Sequence, residues 1–320
     1  MIIDLLKHYG VVKQDRATAT PLTGGVSCEI FLIEDGDDRF VAKRALSQLK
    51  VAEEWLADPS RNKYEQRYLK YVGEKHPTWV PTIRNSFEDE NLFIMEFFPE
   101  CFRDWKKYLL EGDIKPQVAT NIGAALGTIH AMSWDDQNAK TWFDSDANFH
   151  ELRLSPYFEF MRTKHPQLES RLSALVETIE TTKLCLIHGD FSPKNILVAS
   201  NEIKIVDCEV AWFGDPSFDI GFLIHHLILK YLHFNNEQFL NLASAFIDSY
   251  QLALGADKLA QINESHTVET TLMLMLARID GKSPVEYLTE PQREAIRAKV
   301  FNLLGQDIAS LDYLLQGVKA

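Results

Sequence analysis

The chain has 320 residues, a formal net charge of −13, and 46% hydrophobic and 25% charged residues. The acidic balance argues against general nucleic-acid binding, because a phosphate backbone requires a basic surface. The hydrophobic content suffices for one large domain or two moderate ones. Its longest aliphatic run, IGFLIHHLILK, is broken by His225 and His226 and is too short for a membrane span of about 20 residues. The four cysteines (Cys28, Cys101, Cys185, Cys208) contain no C-x-x-C pair, so neither a zinc signature nor a disulfide framework is present. The N-terminus, MIIDLLKHYG, lacks the apolar run of a signal peptide. A cytoplasmic protein with no membrane and no nucleic-acid partner is expected.

The first hundred residues read as strands with one helix. ATATPLTGG and CEIFLIEDGDDRFVAKRAL hold β-prone runs, with a turn at Glu34-Asp35-Gly36-Asp37-Asp38. Tyr64, Tyr68, Leu69 and Val72 recur at helical spacing from about Arg61 to Val72. TIRNSF and NLFIMEFF are two further strands around the polar tip Glu88 to Asn91. The result is a small antiparallel sheet with one packed helix. After Phe98-Pro99 the character changes to helices: Ala119 to Met132, with small residues that permit close packing, and ESRLSALVETIETT. Trp134 to His150 is polar and aromatic without a clear period. Short strands LCLIH, NILVAS and EIKIVDCEV follow, and Ile220 to Gln316 reads as mostly helical. The boundary lies in a packed apolar segment, which suggests lobes 1–97 and 98–320 joined by a short hinge.

The polar residues between these strands carry the chemistry. Asp190 follows an aliphatic strand, Asn195 stands five residues later, and Asp207 closes the run IKIVD. A tight turn at Ser200-Asn201 would bring Asn195 and Asp207 together. A carboxylate and an amide oxygen are hard donors that suit Mg²⁺, which takes few protein ligands and keeps sites for phosphates. Asp190 would then orient an attacking hydroxyl and accept its proton.

The spacing D-x-x-x-x-N followed by a strand ending in Asp matches the catalytic and metal loops of the protein-kinase-like fold. IHGDFSPKNILV together with IVDCEVAWFGDPSFDIG resembles the aminoglycoside phosphotransferase and choline kinase-like family. That family has H-G-D for H-R-D, no Phe-Gly after the metal Asp, and a D-P-x-x-D element, here Asp215 to Asp219. The resemblance implies an α+β, two-lobed protein-kinase-like fold, with a small antiparallel N-terminal lobe that binds nucleotide. The larger, mostly helical C-terminal lobe would be catalytic and bind the acceptor. It implies a phosphate-covering loop at Gly24, Gly25 and Ser27, where glycine lets backbone approach an anion. Lys43 would hold the α/β-phosphates and Glu65 would orient it. Adenine would bond backbone at Glu96 and Phe98. His188 and Asp219 would support the catalytic loop, and Lys194 would either touch phosphate or stay solvated. The implied cofactors are ATP, or another nucleoside triphosphate, and Mg²⁺.

The implied activity is transfer of the γ-phosphate to a hydroxyl of a small molecule, aminoglycoside, choline-like or related. A nucleotide-binding pseudokinase serving as an interaction module is the alternative. Against it, Lys43, Asp190, Asn195 and Asp207 are all present. The turn LARIDGKSPVEYL, with Arg278, Asp280, Lys282 and Glu286, has two readings: an acceptor contact, or a helix stop at Gly281 before Pro284. NFHELRLSPYFEF is a second candidate acceptor wall, and one of His225 and His226 is expected to be a core histidine. An acidic cleft would suit a cationic acceptor, whereas the basic residues of the late turn would suit an anionic one.

Overall fold

Alternating apolar residues build the first sheet. The computed structural model describes residues 2–22, 28–46 and 58–320. Strands β1 (Thr18–Pro21), β2 (Cys28–Asp35), β3 (Asp38–Ala45), β4 (Ile83–Phe87) and β5 (Leu92–Glu96) form an antiparallel sheet in the order β1-β2-β3-β5-β4. Gly36 turns the β2–β3 hairpin with φ +69°, a conformation open to glycine.

Strand β3 is central and buried on both faces. Phe40 and Ala42 join Ile33, Leu92 and Ile94 in a core closed by Leu6 and Val12. Leu6 belongs to helix α1 (Ile2–His8), so the expectation of a single helix beside this sheet needs correction. A sheet apolar on both sides needs cover on both, and α1 supplies the second cover. Helix α2 (Asn62–Lys75) buries Glu65, Tyr68, Leu69 and Val72, an i, i+3, i+4, i+7 stripe.

The chain divides into two units, Met1–Phe102 and Arg103–Ala320. In the second, β6 (Arg103–Asp104), β8 (Ile196–Ala199) and β9 (Glu202–Ile205) make one antiparallel sheet, and β7 (Cys185–Ile187) pairs with β10 (Trp212–Gly214). Helices α3 (Trp105–Glu111), α4 (Pro116–Ser133), α5 (Gln137–Trp142) and α6 (Asp146–Phe149) come first. The segment from Trp134 to His150 is thus partly helical after all; its helices are too short to display a period. A π-helical stretch (His150–Glu159) containing Pro156 leads into α7 (Phe160–Lys164) and α8 (Glu169–Thr181). The unit closes with α9 (Pro216–Phe234), α10 (Gln238–Leu254), α11 (Ala256–Leu259), α12 (Glu264–Asp280), α13 (Glu290–Leu304) and α14 (Leu311–Lys319).

Two packing features position the site. Gly123 and Gly127 of α4 let α10 approach so closely that a Cβ would stand 2.3 Å from the Phe246 carbonyl oxygen and 2.5 Å from that of Tyr250. Helix α9 is buried without interruption from Pro216 to Tyr231, the pattern of a central core helix. It carries Asp219, His225, His226 and Lys230 into the interior. Among the described residues no helix is long and apolar enough to cross a membrane.

Candidate active site

The β7–α9 region builds a loop around Asp190. Gly189 precedes it with φ +75°, and a Cβ there would lie 2.4 Å from the Val210 carbonyl oxygen. Only glycine satisfies both constraints. Asp219, fully buried on the first turn of α9, accepts the backbone N–H of His188 at 2.6 Å and that of Gly189 at 2.9 Å. His130 Nε2 lies 3.5 Å from the same carboxylate, and its Nδ1 is 2.9 Å from the Tyr250 hydroxyl.

His188 accepts the Asp190 N–H at Nδ1 (3.1 Å), so its Nε2 carries the proton donated to the Val206 carbonyl (3.1 Å). Burial keeps this imidazole neutral, lowering its pKa against the pull of Asp219 and Asp190.

One oxygen of Asp190 is spoken for. Its Oδ2 accepts Asn195 Nδ2 at 2.8 Å and lies 3.2 Å from Arg153 Nη2. Arg153 is itself anchored by Nε to the Gly189 carbonyl and by Nη1 to the Leu152 carbonyl at 2.7 Å. Asp190 Oδ1 has no partner among the described residues, and the carboxylate is 18% exposed. An acid fixed through one oxygen presents the other in a defined direction, the arrangement a general base needs.

Asn195 spends its amide nitrogen on Asp190, on the carbonyl at 3.0 Å as well as on Oδ2. Its Oδ1 is left with no hydrogen bond among the described residues. The β8–β9 pairing sets Ile196 opposite Ile205, and Val206 N–H bonds the Asn195 carbonyl at 3.0 Å. Asp207 therefore stands beside Asn195. It lies two residues beyond the strand and not at its end, because the backbone turns left-handed there (φ +61°). Such a conformation disfavours a side-chain-bearing residue, and clusters at functional sites. Lys194 Nζ is 3.9 Å from Asp207. The donor set, one amide oxygen and one carboxylate, fits Mg²⁺ with most positions left to water and phosphate.

In the first unit, Lys43 of β3 and Glu65 of α2 pair at 2.8 Å, each 1% exposed. Two desolvated charges add little net stability. Arg44 turns to the opposite face and pairs with Glu90, as strand alternation requires. Glu96 ends β5 and its carboxylate accepts the Thr82 N–H at 3.2 Å. Phe98 lies beyond the strand with its ring 5.5 Å from that of Phe102. Gly24, Gly25 and Ser27 lie outside the described residues.

Sequence reasoning did not single out Arg153. The available signal was an arginine between two leucines in a stretch rich in aliphatic and aromatic residues, ELRLSPYFEF. Nor did it single out Lys230, which is 1% exposed on α9. Burial, with Lys106 and Arg278 nearby, pulls its pKa down to about 7 against the weaker pull of Glu286. Unfolded, the same amine would titrate near 10.5. Between these values the unfolded chain binds the extra proton, so stability rises with pH through that window. Burial holds His225 and His226 well below 6.5, so they stay neutral throughout, and it raises the Tyr287 hydroxyl beyond the window. Lys230→Met should therefore be more stable than the parent by a few kcal/mol at pH 7, a gap that closes toward pH 10. Urea unfolding of both proteins across this range checks it; parallel curves would contradict a buried, titrating amine.

A model of the phosphotransferase enzyme family matches residues 18–262, and the chain belongs to that family. The methylthioribose kinase of Exiguobacterium sibiricum is 26% identical over 251 residues, covering 70% of this chain and 64% of the relative. That of Bacillus velezensis is 28% identical over 232 residues, covering 63% and 58%. The chain thus spans less than two thirds of the length of these curated relatives. Among solved structures, choline kinase from Cryptosporidium parvum Iowa II is similar, with a TM-score of 0.61 at 14% identity over 98% of each chain. Amicoumacin kinase in complex with AMP-PNP, Ca²⁺ and Ami has a TM-score of 0.61 at 13% identity, over 97% of this chain and 95% of that one. These similarities show the protein-kinase-like α+β fold.

Proposed function

We propose that the protein transfers the γ-phosphoryl group of ATP to a hydroxyl of a small molecule, acting in the cytoplasm. The observation that carries this reading is Asp190, held through Oδ2 by Asn195 and Arg153 with Oδ1 unengaged. In this reading Asp190 Oδ1 accepts the hydroxyl proton as the oxygen attacks phosphorus. Lys43, oriented by Glu65, holds the α/β-phosphates. Mg²⁺ held by Asn195 Oδ1 and Asp207 would neutralise charge on the phosphate oxygens. Asp219 and His188 keep the Asp190 loop rigid, so rate enhancement comes from positioning and preorganised charge. Gly24, Gly25 and Ser27 would cover the phosphates, and the backbone at Glu96 and Phe98 would receive adenine. The first unit would bind nucleotide and the second would carry catalysis and the acceptor. The two methylthioribose kinases support a small, hydroxyl-bearing acceptor, with aminoglycosides and choline-like alcohols as further candidates.

The test is ADP release from Mg·ATP across pools of hydroxyl compounds: methylthioribose, choline, ethanolamine, aminoglycosides, homoserine and free sugars. Stimulation by one pool in the parent protein alone, and not in Asp190→Asn, is the expected result. Equal stimulation in both proteins would remove Asp190 as the base.

A further inference from the structure

The interior of the second unit holds more cationic donors than its one nearby carboxylate, Glu286, satisfies among the described residues. Lys230 Nζ makes one long hydrogen bond, 3.4 Å to the His226 carbonyl, and sits 5.4 Å from the centre of the Tyr287 ring. An ammonium group has three donors, so at least two are without an acceptor among the described residues. Arg278 of α12 bonds through Nη1 to the carbonyl and, at 2.8 Å, to the hydroxyl of Ser283. The same nitrogen lies 3.5 Å from the Tyr157 hydroxyl, while Arg278 Nε is buried with no hydrogen-bond partner among the described residues. The Tyr287 hydroxyl is likewise buried and makes no hydrogen bond among the described residues. Lys106 of α3 completes the cluster, and its charge is already matched by Glu286. Glu286 also acts on Lys230 and Arg278 at longer range. This single carboxylate thus serves three cations, and neither Lys230 nor Arg278 has an ion pair of its own among the described residues, in a protein whose net charge is −13. Buried polar groups are normally satisfied, and an orphan set calls for an explanation.

The cluster is linked to Asp190 through Tyr157 and Arg153. Arg153, 3.2 Å from that carboxylate, lies 5.9 Å from the Tyr157 ring centre, and the Tyr157 hydroxyl reaches Arg278. Arg278 and Tyr287 are half-buried residues and Lys230 lies fully inside, while the Arg278 Nε and Tyr287 hydroxyl donors are themselves buried.

We propose that Lys230, Arg278 and Tyr287 form an anion subsite for the acceptor, which is a hydroxyl metabolite bearing a carboxylate or phosphate group. This deepens the phosphotransfer reading and rests on it for the hydroxyl end. The anionic group would take the Lys230 ammonium, Arg278 Nε–H and the Tyr287 hydroxyl, while the acceptor hydroxyl meets Asp190 Oδ1. Of the two readings left open for the ARIDGKSPVEYL turn, this selects the acceptor contact, with the helix stop at Gly281 as the device that places it. It also selects an anionic over a cationic acceptor, since a choline-like ammonium would meet the Arg278 guanidinium and three donors, whereas a bound anion would favour the protonated form of Lys230.

The experiment uses matched pairs: glycerate and glycerol 3-phosphate against glycerol, ribose 5-phosphate against ribose, and 4-hydroxybutyrate against choline. Binding is followed by NMR titration of the full chain without nucleotide, and turnover by ADP release from Mg·ATP. In binding, at least one anionic member should saturate while its neutral or cationic counterpart does not. Its Kd should rise at least tenfold in Lys230→Met and Arg278→Met. In turnover, those variants should raise KM for the anionic acceptor at least tenfold and change KM for ATP less than twofold. The carboxylate and phosphate arms distinguish the two sources of charge. No preference for the anionic members, or binding indifferent to both variants, would overturn the subsite. A shift in KM for ATP without one for the acceptor would overturn it as well. Charge-selective binding with no turnover in any pool keeps the subsite and overturns the phosphotransfer reading instead. Because Lys230→Met removes a desolvated charge, it should remain folded, and Lys230→Arg serves as a charge-retaining control expected to recover part of the affinity.

Discussion

Asp190→Asn is expected to lower acceptor-stimulated turnover by about 10²–10⁴-fold, with Mg·ATP affinity nearly unchanged. The variant side chain still meets two donors, Asn195 Nδ2 and Arg153 Nη2, on the Oδ2 side. Its carbonyl oxygen must take that position, because two donors cannot face each other. The amide nitrogen is then directed where Oδ1 stood, and an amide nitrogen accepts no proton. Arg153 keeps its bonds to the Gly189 and Leu152 carbonyls, so the loop should hold its shape. Nucleotide binding depends on Lys43, Asn195 and Asp207 in this reading, none of which is altered. Steady-state kinetics with the activating pool, and a thermal shift with Mg·ATP, read the two quantities separately. Turnover within threefold of the parent would show that Asp190 is not the base.

The second large effect belongs to a residue that touches no reacting atom. Asp219→Ala should destabilise the second unit by about 3–5 kcal/mol, because two charge-assisted hydrogen bonds vanish and the His188 and Gly189 N–H groups are left buried and unbonded. Turnover should fall as well, since Gly189 and Asp190 are neighbours and the loop loses its tether. Asp219→Asn retains one acceptor oxygen and should lie between the two. Urea midpoints for the three proteins, with kcat measured where each is folded, check the order. An Asp219→Ala midpoint equal to the parent's would mean that water or backbone relaxation satisfies the two N–H groups.

Asp190 and Asp219 both stand at spacings that are legible in the sequence. Asp190, Asn195 and Asp207 sit within eighteen residues on a hairpin-like run. Their proximity is nearly local, set by the β8–β9 pairing and a short turn. Lys43 and Glu65 are separated by 22 residues, including a stretch outside the described residues, yet a strand lysine and an amphipathic helix could each be read from periodicity. Helix α1 was not readable as a sheet cover, because a seven-residue helix displays too little period, and the apolar face it covers belongs to strands far along the chain. Asp207 was legible as a residue but not in its conformation: nothing in IKIVD signals a left-handed turn.

Arg153, Arg278, Tyr287 and Lys230 illustrate the other limit. Arg153 lies 37 positions before Asp190, and Lys230 lies 48 before Arg278, and no local pattern links either pair. A lysine in an apolar run reads equally well as a helix end reaching solvent or as a desolvated amine. Burial separates these cases, and burial arises from the packing of α9 against neighbouring helices. The sequence by itself determined the fold class, the family resemblance and the hard-oxygen donor set, because each depends on short-range pattern or on residue chemistry. Only the tertiary structure decided which Asp190 oxygen is engaged, what Asp219 tethers and which cations share a single carboxylate. Hydrogen-bond direction and desolvation are properties of atoms brought together across long stretches of chain, and no local periodicity encodes them.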